Sequence, residues 1–135
     1  MRIGVHFKLY VVGVVILLLI GTMICTSCTG GGEPGPTDTQ SPEVYISIEP
    51  ILPEHGDDIT FIAAADDESG VDTIAIFVDG ENVAQCHGSP AQTHISCTET
   101  QGPYSQGQTV QYWAFAVDCE GNSTESHIKT IIIGP

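Results

Sequence analysis

Positive charge is the scarcest property of this sequence. Its 135 residues include three Lys and Arg residues but 17 Asp and Glu residues, and the formal net charge is −14. Two of the basic residues, Arg2 and Lys8, precede every acidic one. Such a polyanion repels nucleic acids and anionic lipid surfaces, so the sequence predicts no nucleic-acid partner. A cation or a basic protein is a more compatible partner for such a negatively charged chain. The alternative is that the negative charge only keeps the protein soluble or adapts it to salt.

Catalytic motifs are lacking as well. The sequence contains no Gly-x-Ser-x-Gly nucleophile turn, no His-Glu-x-x-His metalloprotease motif and no Gly-rich phosphate loop. Its five histidines are scattered along the chain. Acidic turns alone do not place two carboxylates across a glycosidic bond. The sequence therefore predicts a protein that is not an enzyme.

A long apolar run follows the two N-terminal basic residues. Residues 9–24 carry no charge and are rich in Val, Leu and Ile. As a helix, this run would be about 24 Å long at about 1.5 Å per residue, which is shorter than a hydrocarbon core of roughly 30 Å. A basic start followed by such a run is typical of an export signal. Residues 1–28 are therefore predicted to form a signal peptide or membrane-anchor helix, which places the remaining chain outside the cytoplasm.

The end of the apolar run resembles a lipobox, because small residues precede Cys28 in the segment Cys-Thr-Ser-Cys. The resemblance implies lipidation of Cys28 and attachment to the membrane through that lipid. The alternatives are an ordinary cleaved signal and a retained transmembrane helix whose orientation is set by Arg2 and Lys8. Residues 29–41 are rich in Gly and Pro and predict a flexible linker that spaces the next domain from the membrane.

Residues 42–135 show the two-residue periodicity of β-strands and no convincing helical pattern. The predicted strands are 44–48, 59–65, 74–78, 82–86, 94–98, 110–117 and 126–133. Asp79-Gly80 is a strong signal for a two-residue hairpin turn. About seven short strands predict an all-β antiparallel sandwich, with a small closed barrel as the alternative. The alternation places one set of side chains in the core: Ile59, Phe61, Ile74, Ile76, Val78, Tyr112 and Ala114.

Three segments of this region resemble the immunoglobulin-like domains of prokaryotic surface proteins. They are GDDITFIAAADDESGV at 56–71, IAIFVDG at 74–80 and YWAFAVDCEGN at 112–122. The resemblance covers most of residues 42–135 and implies an immunoglobulin-like β-sandwich of about seven strands. It also implies a non-catalytic module for binding, adhesion or spacing at the cell surface. Members of this family often carry Asn where this chain has Cys119.

The predicted domain contains three cysteines. In an oxidising exterior, we expect a disulfide between Cys86 and Cys97 across neighbouring strands. The alternative is a zinc site that adds His87 and His94 to the two cysteines, although strand alternation points adjacent residues to opposite faces. Cys119 is left as a free thiol or as one half of an intermolecular bridge.

Two acidic turns, 66–72 and 118–122, are expected at the same end of the sandwich. Calcium takes six to eight oxygen ligands from carboxylates, carbonyls and water. The candidate calcium ligands are Asp66, Asp67, Glu68, Asp118, Glu120 and Asn122. Their spacing matches no EF-hand loop, and the alternative is a pair of ordinary solvated turns.

Three aromatic residues, Phe77, Trp113 and Phe115, are predicted on the face opposite the core. An exposed aromatic stripe would bind a glycan or another surface protein, which gives the alternative function of a carbohydrate-binding accessory subunit. The alternative is that the linker or the C-terminal strand covers the stripe, or that a register error of one residue inverts the two faces. Separately, Asn122 begins an Asn-Ser-Thr sequon in a predicted exterior turn, which makes it a candidate glycosylation site.

Overall fold

The computed structural model describes residues 38–135, which form eight strands in two antiparallel sheets. The strands are β1 (Glu43–Glu49), β2 (Ile59–Asp66), β3 (Val71–Val78), β4 (Glu81–His87), β5 (His94–Gln101), β6 (Thr109–Asp118), β7 (Ser123–Glu125) and β8 (Lys129–Ile132). Among these described residues, no helix is long and apolar enough to cross a membrane. The predicted signal or anchor segment, 1–28, lies outside the described residues, as does most of the linker.

The first sheet contains β1, β2 and β5, and the second contains β4, β3 and β6, with β7 and β8 both pairing with β6. Two separate open sheets make a sandwich and not a closed barrel, so the closed-barrel alternative is wrong. A two-residue turn joins β3 to β4, as the Asp-Gly pair predicts. Asp79 and Gly80 have φ values of 50° and 89°, the left-handed conformation that a tight hairpin turn requires at both central positions.

The hydrophobic core lies between the inner faces of the two sheets. All seven core residues predicted from the alternation are buried, and Phe61 is fully inaccessible to solvent. Phe61 from β2 and Tyr112 from β6 meet across the sheets with ring centroids 5.5 Å apart. Alternation works on β2 and β6 because one face of each of these strands is packed in the core and the other is more exposed.

The last predicted strand, 126–133, is confirmed only in its second half, where β8 spans Lys129–Ile132, and an additional short strand, β7, ends just before Ser126. The Ser126 side-chain oxygen accepts a hydrogen bond from the Ala114 backbone N–H at 2.9 Å, while the Ser126 N–H donates to the Ala114 carbonyl at 2.8 Å. The serine hydroxyl thus replaces one rung of the ladder with β6. Side-chain bonds of this kind interrupt regular pairing without leaving a polar group unsatisfied.

The disulfide between Cys86 and Cys97 is present, but it does not join neighbouring strands. Cys86 lies on β4 and Cys97 on β5, which belong to different sheets, and their Cα atoms are 5.6 Å apart. The bond therefore clamps the two sheets together where the chain crosses from one to the other. Because both sulfur atoms are bonded to each other, the zinc alternative is also wrong.

Lys129 is the one Lys or Arg residue in the described part of the chain. Its Nζ donates a hydrogen bond of 2.6 Å to the carbonyl oxygen of Ile46. Ile46 belongs to β1, an edge strand, and Lys129 begins β8 in the opposite sheet. The lysine therefore connects the two sheets along the edge where backbone groups would otherwise face solvent.

Replacing both Cys86 and Cys97 with Ala should lower the free energy of unfolding by about 2–3 kcal/mol, because the unfolded chain gains the freedom of an opened loop. The 11-residue separation sets this estimate. Urea denaturation of the double variant and the wild type measures the difference. A loss below about 0.5 kcal/mol would show that this disulfide contributes little to the free energy of unfolding.

Stability should fall at alkaline pH because burial raises the pKa of Tyr112 and of Tyr104 above the ordinary 10.0, with nearby Asp79 adding to the effect at Tyr104. The unfolded chain releases these protons first, so stability is complete below about pH 10 and declines as pH rises toward the folded-state pKa values. Melting temperatures measured from neutral to strongly alkaline pH test this. Replacing both tyrosines with Phe should flatten the decline; an unchanged decline would contradict the assignment.

Candidate functional site

Three loops meet at the end of the sandwich where the described chain begins. The Asp67 N–H donates to the Thr93 carbonyl at 2.9 Å, and the Cys119 N–H donates to the Gly70 carbonyl at 3.0 Å. Gly70 has a φ of +102°, and a Cβ there would lie 2.8 Å from the Pro90 carbonyl oxygen. Backbone approach this close requires glycine. The loops are thus joined by main-chain bonds rather than held by their side chains alone.

Asp118 organises the turn that follows β6. Its side chain is 2% exposed. One carboxylate oxygen, Oδ1, accepts hydrogen bonds from the backbone N–H groups of Glu120 at 2.9 Å and Asn122 at 2.7 Å. The other, Oδ2, accepts from the Asn122 side-chain amide at 2.7 Å. A buried carboxylate is tolerated here because each oxygen has a donor.

Asn122 also connects this turn to the end of the linker. Its side-chain nitrogen donates to the Asp38 carbonyl oxygen at 3.2 Å, in addition to the Asp118 carboxylate. This hydrogen bond therefore attaches the backbone at Asp38 to the sandwich. This same nitrogen is the atom to which a glycan would be attached, so use of the sequon would replace one of its two N–H groups and remove at least one of these hydrogen bonds.

Three carboxylates converge at this joint. Asp38, Asp67 and Asp118 each present an oxygen atom, and these atoms all lie within 4.8 Å of one another. Asp67 Oδ1 accepts hydrogen bonds from both the backbone N–H and the hydroxyl of Ser69, which orients that side chain. Three like charges at this separation repel one another unless a cation or protons neutralise them. The arrangement offers hard oxygen ligands of the type that calcium prefers.

An acidic groove of about 570 Å³ opens beside the three carboxylates. Its lining residues are Asp38, Gln40, Ser41, Glu43, Asp66, Asp67, Glu68 and Thr93. Asp66 lies at the rim, where its Oδ1 is 2.7 Å from Nδ1 of His94. Five carboxylates therefore lie next to the point where the linker enters.

The structure brings together only part of the predicted calcium set. Asp67 and Asp118 meet, whereas Asp66 pairs with His94, and Glu68 lines the groove. Glu120 and Asn122 act as donors to Asp118. Asp38 was missed because it lies in the predicted linker, where no strand periodicity indicates what it will contact.

The three predicted aromatic residues lie on the outward face of the five-stranded sheet. Phe77, Trp113 and Phe115 are all half-buried. The Phe77 and Trp113 rings stack with centroids 5.1 Å apart and an interplanar angle of 5°. Each ring therefore covers one face of the other, and Ala75 on the same side of the sheet is only 4% exposed. The aromatic residues form a small ordered patch.

Cys119 is disulfide-bonded, so the interpretation of this residue as a free thiol is wrong. The predicted lipidation site, Cys28, lies outside the described residues.

No protein-family model matches this chain, and no curated protein matches it closely enough to count as a relative.

Replacing Asp118 with Ala should lower the free energy of unfolding by about 3 kcal/mol or more, because several buried donors would lose their acceptor. Glu120, two residues further on, is the matched control, because its side chain is exposed and only its backbone N–H contacts Asp118. The Glu120→Ala variant should stay within about 0.5 kcal/mol of wild type. Urea denaturation measures both, and equal losses would contradict a central role for the Asp118 carboxylate.

Proposed function

We propose that residues 42–135 form an immunoglobulin-like module that serves binding, adhesion or spacing at the cell surface. The strand order supports this proposal. In immunoglobulin constant-type sandwiches, the first, second and fifth strands share one sheet, and the third, sixth and seventh share the other. The described chain has this division, with β1, β2 and β5 opposite β3, β6 and β7. It differs in the fourth strand, because β4 pairs with β3 rather than with β5.

The module is proposed to be tethered outside the cytoplasm through a lipid on Cys28 or through the N-terminal helix. The sequence of residues 1–28, a basic start followed by an apolar run, supports this location. In the structure, the hydrogen bond from Asn122 to Asp38 attaches the start of the described chain to one end of the sandwich. A tether that is attached to the sandwich where the linker ends would orient the module relative to the membrane.

Calcium is proposed to stabilise that junction. The observation that carries this proposal is the convergence of Asp38, Asp67 and Asp118 within 4.8 Å. Asp38 belongs to the linker, whereas Asp67 and Asp118 follow β2 and end β6. A cation bound by all three would remove their mutual repulsion and hold linker and sandwich together. Carbonyl and water oxygens would complete the six to eight ligands.

We propose that the module is not an enzyme. Two carboxylates of the acidic groove are engaged by neighbouring side chains, Asp66 by His94 and Asp67 by Ser69. Such contacts suit a fixed, charged surface. A general acid or base instead needs an environment that keeps its proton exchangeable near neutral pH.

Calcium should raise the melting temperature of the full-length protein. A ligand that binds only the folded state at 100 times its dissociation constant adds about 2.7 kcal/mol. For a domain of this size, that corresponds to a rise of roughly 10 °C or more. Differential scanning calorimetry in calcium and in a chelator measures the change.

Asp38→Asn and Asp67→Asn should each reduce this rise, because each removes a charged ligand. Glu81→Gln is the matched control, since this exposed residue begins β4 and is not one of the three converging carboxylates. The control should keep the full response. If calcium leaves the wild-type melting temperature unchanged, the proposed junction site is wrong.

A second candidate function is that of a carbohydrate-binding accessory subunit. It is favoured by the ordered, half-exposed rings of Phe77 and Trp113, because a pre-ordered aromatic surface loses little conformational freedom when a ligand binds.

A further inference from the structure

The outward face of the five-stranded sheet differs from the rest of the domain in its charge. Directly paired residues of antiparallel strands point to the same side of a sheet, so the register identifies this face from its aromatic members. The face consists of His87, Gln85, Asn82, Thr73, Ala75, Phe77, Val117, Phe115, Trp113, Gln111, Thr109, Ser123, Glu125, Thr130 and Ile132. Glu125 is the one Asp, Glu, Lys or Arg residue in this set. Asp72 and Asp79 flank the face at the two ends of β3.

Most acidic residues of the described part of the chain therefore lie elsewhere. The outward face of the other sheet carries carboxylates at Glu43, Glu49 and Asp66, and the acidic groove adds more. A surface that is nearly free of charge within such an acidic protein does not serve solubility. Low charge around aromatic side chains is instead characteristic of a surface that makes contact with another molecule.

Neutral amides flank the aromatic residues on both sides. Asn82 pairs with Phe77 across the strands, Gln85 pairs with Ala75, and Gln111 lies two residues before Trp113 on β6. All three amide residues are exposed, and their side chains have no hydrogen-bond partner among the described residues. Each amide offers two N–H donors and an oxygen acceptor at the edge of an apolar patch.

We propose that this face binds a neutral oligosaccharide, an inference that rests on the second candidate function and names its ligand class. A sugar ring presents a C–H face and a rim of hydroxyl groups. The C–H groups would pack against the electron-rich faces of the aromatic rings, and the hydroxyl groups would exchange hydrogen bonds with Asn82, Gln85 and Gln111. The neutral class follows from the surroundings, because Glu125 and the net negative charge of the protein oppose a glycan that carries carboxylates.

A second copy of the chain is the competing occupant, since it too would avoid charge at the contact. Two features favour the sugar. The apolar rows of β3 and β6 are bordered by polar rows on both sides, whereas homodimer contacts have a more extensive apolar centre. In addition, two copies of a polyanion repel each other at long range.

Tryptophan fluorescence tests the proposal directly, because Trp113 is the single tryptophan of the chain. The full-length protein is titrated in a sugar-free zwitterionic detergent with neutral hexasaccharides of β-1,4-linked glucose, N-acetylglucosamine, mannose and xylose and of α-1,4-linked glucose. The hexasaccharide of galacturonic acid is the charged comparison. At least one neutral sugar should shift the emission and saturate with a dissociation constant below about 10 mM, and the acidic sugar should not.

Variants then separate contact from folding, with affinity measured by calorimetry and folding by the melting temperature. Gln85→Ala and Gln111→Ala should each weaken binding about three- to tenfold, the loss expected for a hydrogen bond, without lowering the melting temperature. Trp113→Phe should retain part of the affinity. Tyr45→Ala is the matched control, because Tyr45 is an aromatic residue that is 57% exposed on the opposite sheet, and it should leave binding unchanged.

Three results would overturn the inference in distinguishable ways. If no neutral hexasaccharide shifts the emission, carbohydrate binding fails as a function, while the calcium experiment still tests the proposed junction site separately. If the acidic hexasaccharide binds equally well, only the neutral class fails. If the emission shifts with protein concentration alone and sedimentation shows a dimer, the face is occupied by a second copy.

Discussion

The buried carboxylate of Asp118 is the interaction on which the linker end of the molecule depends. A single side chain at the end of β6 satisfies two backbone N–H groups and one side-chain amide, so the turn after β6 has one preferred shape. Because Asn122 is fixed by this bond, it can also hold the Asp38 carbonyl. The position of the linker relative to the sandwich therefore depends on one aspartate, and the same aspartate brings negative charge to the proposed cation site.

The core and the proposed contact face occupy different parts of the sandwich, whereas Asp118 both stabilises the turn after β6 and belongs to the proposed cation site. The core between the sheets is closed by the Phe61–Tyr112 contact and by the Cys86–Cys97 bond, and it leaves the outward faces free to vary. Five carboxylates line the groove at the linker end, whereas the outward face that contains Trp113 carries one, Glu125. The proposed cation site and the proposed sugar-binding face therefore lie on different parts of the surface.

Local patterns predicted most of the fold. Period-two alternation was sufficient to identify Phe61 and Tyr112 as inward and Trp113 as outward, and the Asp79-Gly80 pair was sufficient for the hairpin. The sheet partner of β5 depends instead on long-range packing, so the sequence did not indicate that the disulfide would join different sheets. The break at Ser126 depends on one hydroxyl reaching Ala114. Asp38 joins the candidate site through contacts with residues far along the chain, and no local signal marks it.

The contact that Lys129 makes affects how readily proteases of the trypsin type cleave the domain. Enzymes of the trypsin type cleave after Lys or Arg, and Lys129 is the first such residue after Lys8. In the folded protein, its amino group is engaged by the Ile46 carbonyl and would have to leave that partner to enter a protease pocket. Cleavage therefore requires the Lys129 side chain to leave the Ile46 carbonyl and β8 to separate from its partner β6. The rate of tryptic digestion would then report local opening of the sandwich.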